Sequence, residues 1–166
     1  MVVRAPGGET VLIDAGPASP LRFLQQMGVE QVDLLVATHP HDDHIGGMVD
    51  VLTPRPVHAF VDNGTAVSSD RYLQLMATLE RLSEVSIVTA PGPPQTVGAM
   101  TVQLLPLSWD AAGPDGPSVA AVLRFGAFSA FLSGDSERAE LTAFVEGGHV
   151  PDVTLLKAPH HGSARG

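Results

Sequence analysis

Residues 38 to 47 read T-H-P-H-D-D-H-I-G-G. They follow an apolar run, Val32 to Ala37, whose composition suits a buried strand. His39, His41 and His44 crowd together with Asp42 and Asp43 just where that strand ends. Imidazole nitrogens and carboxylate oxygens are ligands of zinc and similar ions. Packing gains nothing from such a cluster, and burying it unpaired would cost several kcal/mol. The stretch therefore predicts a metal-binding loop at a strand end rather than a solvated turn.

Working outward, 166 residues suit one domain with a real core, and 44% hydrophobic residues with a mean hydropathy of +0.18 predict a packed globule. A formal charge of −9 argues against a broad basic surface for nucleic acid. It leaves open one local site where bound metal ions supply positive charge. Without cysteine there is neither a disulfide framework nor a thiolate ligand. No run of 18 apolar residues occurs, and M-V-V-R-A-P has no signal-peptide core. The expectation is a soluble chain, cytoplasmic or the extracytoplasmic part of a larger membrane protein, of open oligomeric state.

Strands alternate with helical patterns along the chain. Glu9 to Ala15, Val32 to Ala37, Val57 to Val61, Val85 to Thr89, Met100 to Leu105 and Asp152 to Ala158 read as strands. Ser118 to Phe125 and Phe128 to Ser133 read as a hairpin across Gly126. A helix is expected after Ser19-Pro20, with Leu21, Leu24 and Met27 inward, and another over Ile45 to Leu52. Ser68 or Ser69 would cap a helix from Asp70 to Leu82, whose Tyr72, Leu75, Met76 and Leu79 form a core stripe. Ser136 would cap Glu137 to Glu146, and Trp109 to Pro117 reads as a loop. The class is α/β (α+β) with mixed sheets.

Beyond the histidine cluster, Asp14, Asp135 and the His160-His161 pair also follow predicted strands. Side chains at one edge of a sheet can converge although distant in sequence. H-P-H-D-D-H at 39 to 44 resembles the H-x-H-x-D-H signature of the metallo-β-lactamase superfamily, and Asp14 and Gly134-Asp135 resemble its other acidic positions. The ending L-L-K-A-P-H-H-G-S at 155 to 163, with S-V-A-A-V-L-R-F and F-L-S-G-D between 118 and 135, is similar to the ComEC/Rec2 hydrolase domain. The resemblance implies an αββα sandwich of mixed sheets with outer helices. It also implies a single domain over 1–166 that is incomplete at both ends.

The same resemblance implies two divalent ions, Zn2+ first and Mn2+ as an alternative. His39 and His41 would ligate the first ion, Asp43 and His44 the second, and Asp135 would bridge both. One of His160 and His161 would complete the second site, the other orienting a phosphate or donating a proton, and Asp43 and His161 are the catalytic candidates. Asp14 would support the loop through hydrogen bonds, and Asp42 would point away. Superfamily members often add a histidine between the motif and the bridging aspartate. Here that interval holds only His58, which comes too early and reads as a core or surface residue. Asp115 or Ser118 is expected to face the site in its place.

Two ions roughly 3.5–4 Å apart clamp a water and lower its pKa, so the implied reaction is hydrolysis by a metal-bound hydroxide. A phosphodiester is the leading substrate, small-molecule or nucleic acid, with Lys157 and Arg165 the nearest basic groups. The alternatives are a lactam, lactone or thioester hydrolase and a non-catalytic metal-binding domain.

Overall fold

Central strands buried on both faces are apolar at nearly every position, and V-D-L-L-V meets that requirement. In the computed structural model, which describes residues 1–105, 110 and 116–164, it forms β3 (Val32–Val36). The first sheet has the order β1-β2-β3-β4-β5. Its strands are β1 (Val2–Arg4), β2 (Thr10–Ile13), β3, β4 (Val57–Asp62) and β5 (Ser86–Thr89). All its pairings are parallel except β1 against β2. The second sheet has the order β10-β9-β8-β7-β6. It comprises β6 (Gln95–Val97), β7 (Met100–Leu104), β8 (Ala121–Phe125), β9 (Phe128–Leu132) and β10 (Leu155–Leu156). It is an antiparallel meander with β10 added parallel to β9.

The two sheets face each other over one core, which joins Val11, Leu34, Val36 and Val61 to Val102, Leu104, Leu123 and Leu132. Behind the first sheet, Leu35, Phe60 and Leu12 pack on α1 (Leu21–Gln26), α2 (Asp42–Ile45), α3 (Met48–Leu52) and α4 (Asp70–Leu79). Behind the second, Phe131 and Val122 pack on α5 (Arg138–Glu146) through Phe144. Each large apolar side chain buried in these layers contributes on the order of 1.5–3 kcal/mol. The layers are the expected αββα sandwich.

Register sets up the site. Ile13 pairs with Val36 and Val36 with Val61, so the chain after β2, β3 and β4 leaves the sheet at one edge. In the other sheet Phe131 pairs with Leu156, which sends Ser133–Asp135 and the residues after β10 out together. Two backbone bonds tie the emerging segments: Val119 N–H to Thr38 O at 2.7 Å and His160 N–H to Gly134 O at 3.2 Å.

Several local expectations are corrected. The helix expected over Ile45 to Leu52 is two helices broken at Gly46-Gly47. There the loop between β2 and α1 crosses the chain, with Gly47 N–H donating to Gly16 O at 3.0 Å. Ser69 caps α4 by accepting Tyr72 N–H, but Ser19 does not cap α1. Glu137 rather than Ser136 holds the cap position of α5. The strands β1 and β6 are three residues each, too short to announce a period. Of the Trp109 to Pro117 loop, Trp109 and residues 111–115 lie outside the described residues.

A Cβ on Gly47 would stand 2.5 Å from Ala18 O and 3.0 Å from Ala15 O, both rigid backbone. Gly47→Ala is therefore expected to destabilise the fold by about 1–3 kcal/mol. Urea unfolding of the two forms measures it, and an unchanged midpoint would show that the loop crossing is loose.

Candidate metal centre

Asp14 follows β2 with φ of 54°, a left-handed conformation that Asp tolerates better than most residues. From there its Oδ1 accepts the Thr38 N–H at 2.9 Å, and the Thr38 hydroxyl donates within 2.9 Å of Oδ2. His44 Nδ1 stands 2.8 Å from the same Oδ2. An ionised carboxylate only accepts, so His44 carries a proton on Nδ1 and turns Nε2 away from Asp14. The motif loop is thereby hung from the end of β2.

His44 Nε2 points to the place where the other candidates meet. It lies 3.2 Å from Asp135 Oδ2 and 3.6 Å from Asp43 Oδ2. His161 Nε2 makes the same pair of approaches, 3.2 Å to Asp135 Oδ2 and 3.6 Å to Asp43 Oδ2. On the other side His39 stacks at 4.1 Å between ring centroids from His44, and its Nε2 is 2.9 Å from His41 Nδ1. Among the described residues, two groups have ligand atoms close enough to share an ion: His39, His44 and Asp135, and Asp43, His44 and His161. Because one Nε2 serves one ion, His44 can belong to only one of them at a time.

The donor set fits a divalent transition-metal ion. Asp135 Oδ1 is buried with no hydrogen-bond partner among the described residues. An acceptor left so costs roughly 1–3 kcal/mol unless something binds it.

Electrostatics follow from burial and from these neighbours. His39, only 5% exposed, is pushed down to about 4, chiefly by burial and then by the nearby His44 and His41 rings. For His44 burial is the largest influence and opposes the charged ring. Asp14, Asp135 and Asp43 together outweigh it and hold the group above its ordinary range. Asp43 is depressed: burial opposes its charge, but His44, a backbone N–H, His39 and His161 prevail.

The His160-His161 alternatives separate here. Both have positive φ, 43° and 53°, in a 3-10 turn over Pro159–Gly162. His161 joins the ligand atoms. His160 turns its Nδ1 towards Glu137 Oε1 at 3.5 Å, with Nε2 3.9 Å from Asp135 Oδ2. Asp42 points outward to an ion pair with Arg71 Nε at 3.4 Å. His58 is an exposed residue of β4 beside Asp33. Ser118 reaches the site through the backbone, accepting the Asp135 N–H on Oγ at 3.0 Å. Asp115 and Arg165 lie outside the described residues. Lys157 lines a cavity of about 570 Å³ beside Asp43, His44 and His161.

Sequence reasoning passed over Thr38 and Glu140. Thr38 was part of the quoted motif, and a hydroxyl at a strand end was its only signal. Glu140 is a 4% exposed carboxylate in a helix whose pattern reads as ordinary. Burial raises its pKa, against the backbone hydrogen bonds that it accepts.

Comparisons with known proteins agree on the frame. The family model described as the metallo-beta-lactamase superfamily matches residues 1–166. The ribonuclease Z of Aeropyrum pernix is 37% identical over 91 residues, 50% of this chain and 29% of that protein. A hydroxyacylglutathione hydrolase of Stenotrophomonas maltophilia is 46% identical over 41 residues, 25% of this chain and 16% of that protein. Among solved structures, a variant of CmlA, a diiron beta-hydroxylase from Streptomyces venezuelae, is similar in fold. It superposes with a TM-score of 0.63 at 22% identity over 93% of this chain and 32% of that one. The chain thus spans about a third or less of the length of each of these proteins.

His39 is neutral in the fold down to about pH 4 but titrates near 6.5 when unfolded. Between those values the unfolded state binds more protons, so stability falls as pH drops through this window. The shift corresponds to about 3 kcal/mol lost by pH 4. In metal-free protein, His39→Gln should remove that share of the acid sensitivity. Urea unfolding at pH 7 and pH 4 in chelator measures it, and equal acid losses in both forms would refute the assignment.

Proposed function

The chain belongs to the metallo-β-lactamase superfamily, and from that membership we propose that it is a metal-dependent hydrolase cleaving phosphodiester bonds at a two-ion centre. The observation that carries this is the meeting of His44 Nε2 and His161 Nε2 on Asp135 Oδ2, each at 3.2 Å, from segments far apart in the chain. His39 and His41 would hold one ion and Asp43, His44 and His161 the other, with Asp135 beside both sets. Bound there, divalent ions supply an acidified water and positive charge for the oxygen that becomes negative in the reaction. Zn2+ is the leading ion, and manganese or iron suits the same nitrogen and oxygen donors.

The remaining side chains have roles of their own. Asp14 keeps the His44 proton on Nδ1. Asp43 and His161 were both catalytic candidates; here they act by completing the second ion's shell. His160 is 31% exposed next to Asp135, so it is the group that protonates the leaving oxygen. Glu137 Oε1 stands 3.5 Å from its Nδ1. Lys157 places a cation on the cavity wall, where a phosphate oxygen of the substrate can pair with it.

A phosphodiester is favoured by the likeness to ribonuclease Z over half of this chain and by the H-H-G-S ending. The shorter match to a hydroxyacylglutathione hydrolase supports a second reading, hydrolysis of a thioester or of a lactone or lactam by the same centre. With an overall charge of −9, a small or single-stranded substrate fits better than a long duplex.

Metal analysis and a panel of phosphodiester, thioester and lactam substrates test the proposal. His39→Ala and Asp135→Ala should each abolish turnover; activity surviving either would sink it. His161→Ala should lose metal, whereas His160→Ala should keep it and slow turnover by roughly 10²–10⁴-fold. Equal metal loss in both would overturn the division between the two histidines.

A further inference from the structure

Glu140 carries a carboxylate into the interior of the second sheet's outer layer, where its residue is 4% exposed. One oxygen accepts the Glu137 N–H at 3.3 Å, as expected for a residue in the first turn of α5. The other accepts the N–H of Ser118, 22 positions earlier in the chain, at 3.0 Å. Helix capping requires the first bond and not the second. A long-range bond from a desolvated carboxylate costs its burial and needs a structural return.

Ser118 shows where that return goes. It is itself 4% exposed, and its Oγ accepts the backbone N–H of Asp135 at 3.0 Å. The next residue, Val119, donates to Thr38 O at 2.7 Å, which ties the same segment to the histidine motif. Gly134, at φ of 56°, is wedged between them. A Cβ there would fall 2.2 Å from Ser118 Oγ and 2.9 Å from Thr38 Cβ. The turn bearing Asp135 therefore rests against Ser118 on one side and Thr38 on the other.

We infer that Glu140 is a positioning residue for the metal centre: through Ser118 it sets where the Asp135 carboxylate stands between His44 and His161. The inference rests on the reading of Asp135 as a metal ligand. A bridging carboxylate must be placed within about 0.5 Å to serve its site. The turn that aims it is held by the Asp135 N–H donating to Ser118 Oγ, beside Ser136 N–H to Ser133 O and His160 N–H to Gly134 O. Loss of an outer partner of this kind lowers metal affinity by roughly 10–100-fold.

Cobalt(II) titration of the intact, metal-stripped protein, followed by visible absorption, is the test. Ser118→Ala and Glu140→Gln should each weaken Co2+ binding by about 10–100-fold and alter the visible spectrum. Phe144→Leu, in the same helix and packed on Phe131, should lower the melting temperature while leaving affinity and spectrum unchanged. Ser118→Ala removes one hydroxyl, so it reports even if Glu140→Gln fails to fold. Unchanged Co2+ affinity in Ser118→Ala or in Glu140→Gln would overturn the inference, as would an equal loss in Phe144→Leu. No Co2+ binding by the unaltered protein would overturn the metal centre itself, and the inference with it.

Discussion

The carboxylate of Asp14 is the constraint on which the rest depends. It is only 15% exposed and sits between the ends of two parallel strands. It takes the Thr38 N–H, the Thr38 hydroxyl and the His44 Nδ1–H. Those bonds convert a flexible histidine-rich turn into a loop of one shape. They also place a proton on His44 Nδ1, because the ionised Asp14 oxygen 2.8 Å away can only accept. Without Asp14 the loop would carry the same side chains with no reason to aim them.

The second sheet plays the reciprocal part. Its meander brings Asp135 and the 3-10 turn of His160 and His161 to the same edge, through the register of β9 and β10. The candidate centre thus lies across the seam of a sandwich, with one sheet supplying the histidine motif and the other Asp135 and His161. The glycines at the seam follow from close approach rather than flexibility. Gly47 admits the backbone of the β2–α1 loop, and Gly134 lies against Ser118 and Thr38. The positive φ of His160 and His161 is the converse case, side chains accepted in a disfavoured conformation where they serve the site.

Legibility in the sequence tracked how local each feature is. The apolar runs of β3, β4 and β8 declared themselves because buried strands are apolar at most positions. The cap of α4 could be narrowed to Ser68 or Ser69, and it is Ser69; the cap expected at Ser136 falls instead on Glu137, whose N–H is met by Glu140. The break between α2 and α3 was hidden because a Gly-Gly pair in a helical pattern has no local meaning until another segment crosses it.

The sequence by itself determined the donor types, the strand ends that carry them and the family frame, since spacing in H-x-H-x-D-H is a local property. Only the tertiary structure brings His161 Nε2 to 3.2 Å from Asp135 Oδ2 and leaves His160 Nε2 at 3.9 Å, because two adjacent imidazoles differ in which way a left-handed turn points them. It likewise showed that Asp42 leaves the cluster for Arg71, and that Glu140 and Ser118 stand behind Asp135. Such relations rest on a few tenths of an ångström between segments far apart in the chain. No local pattern records that distance.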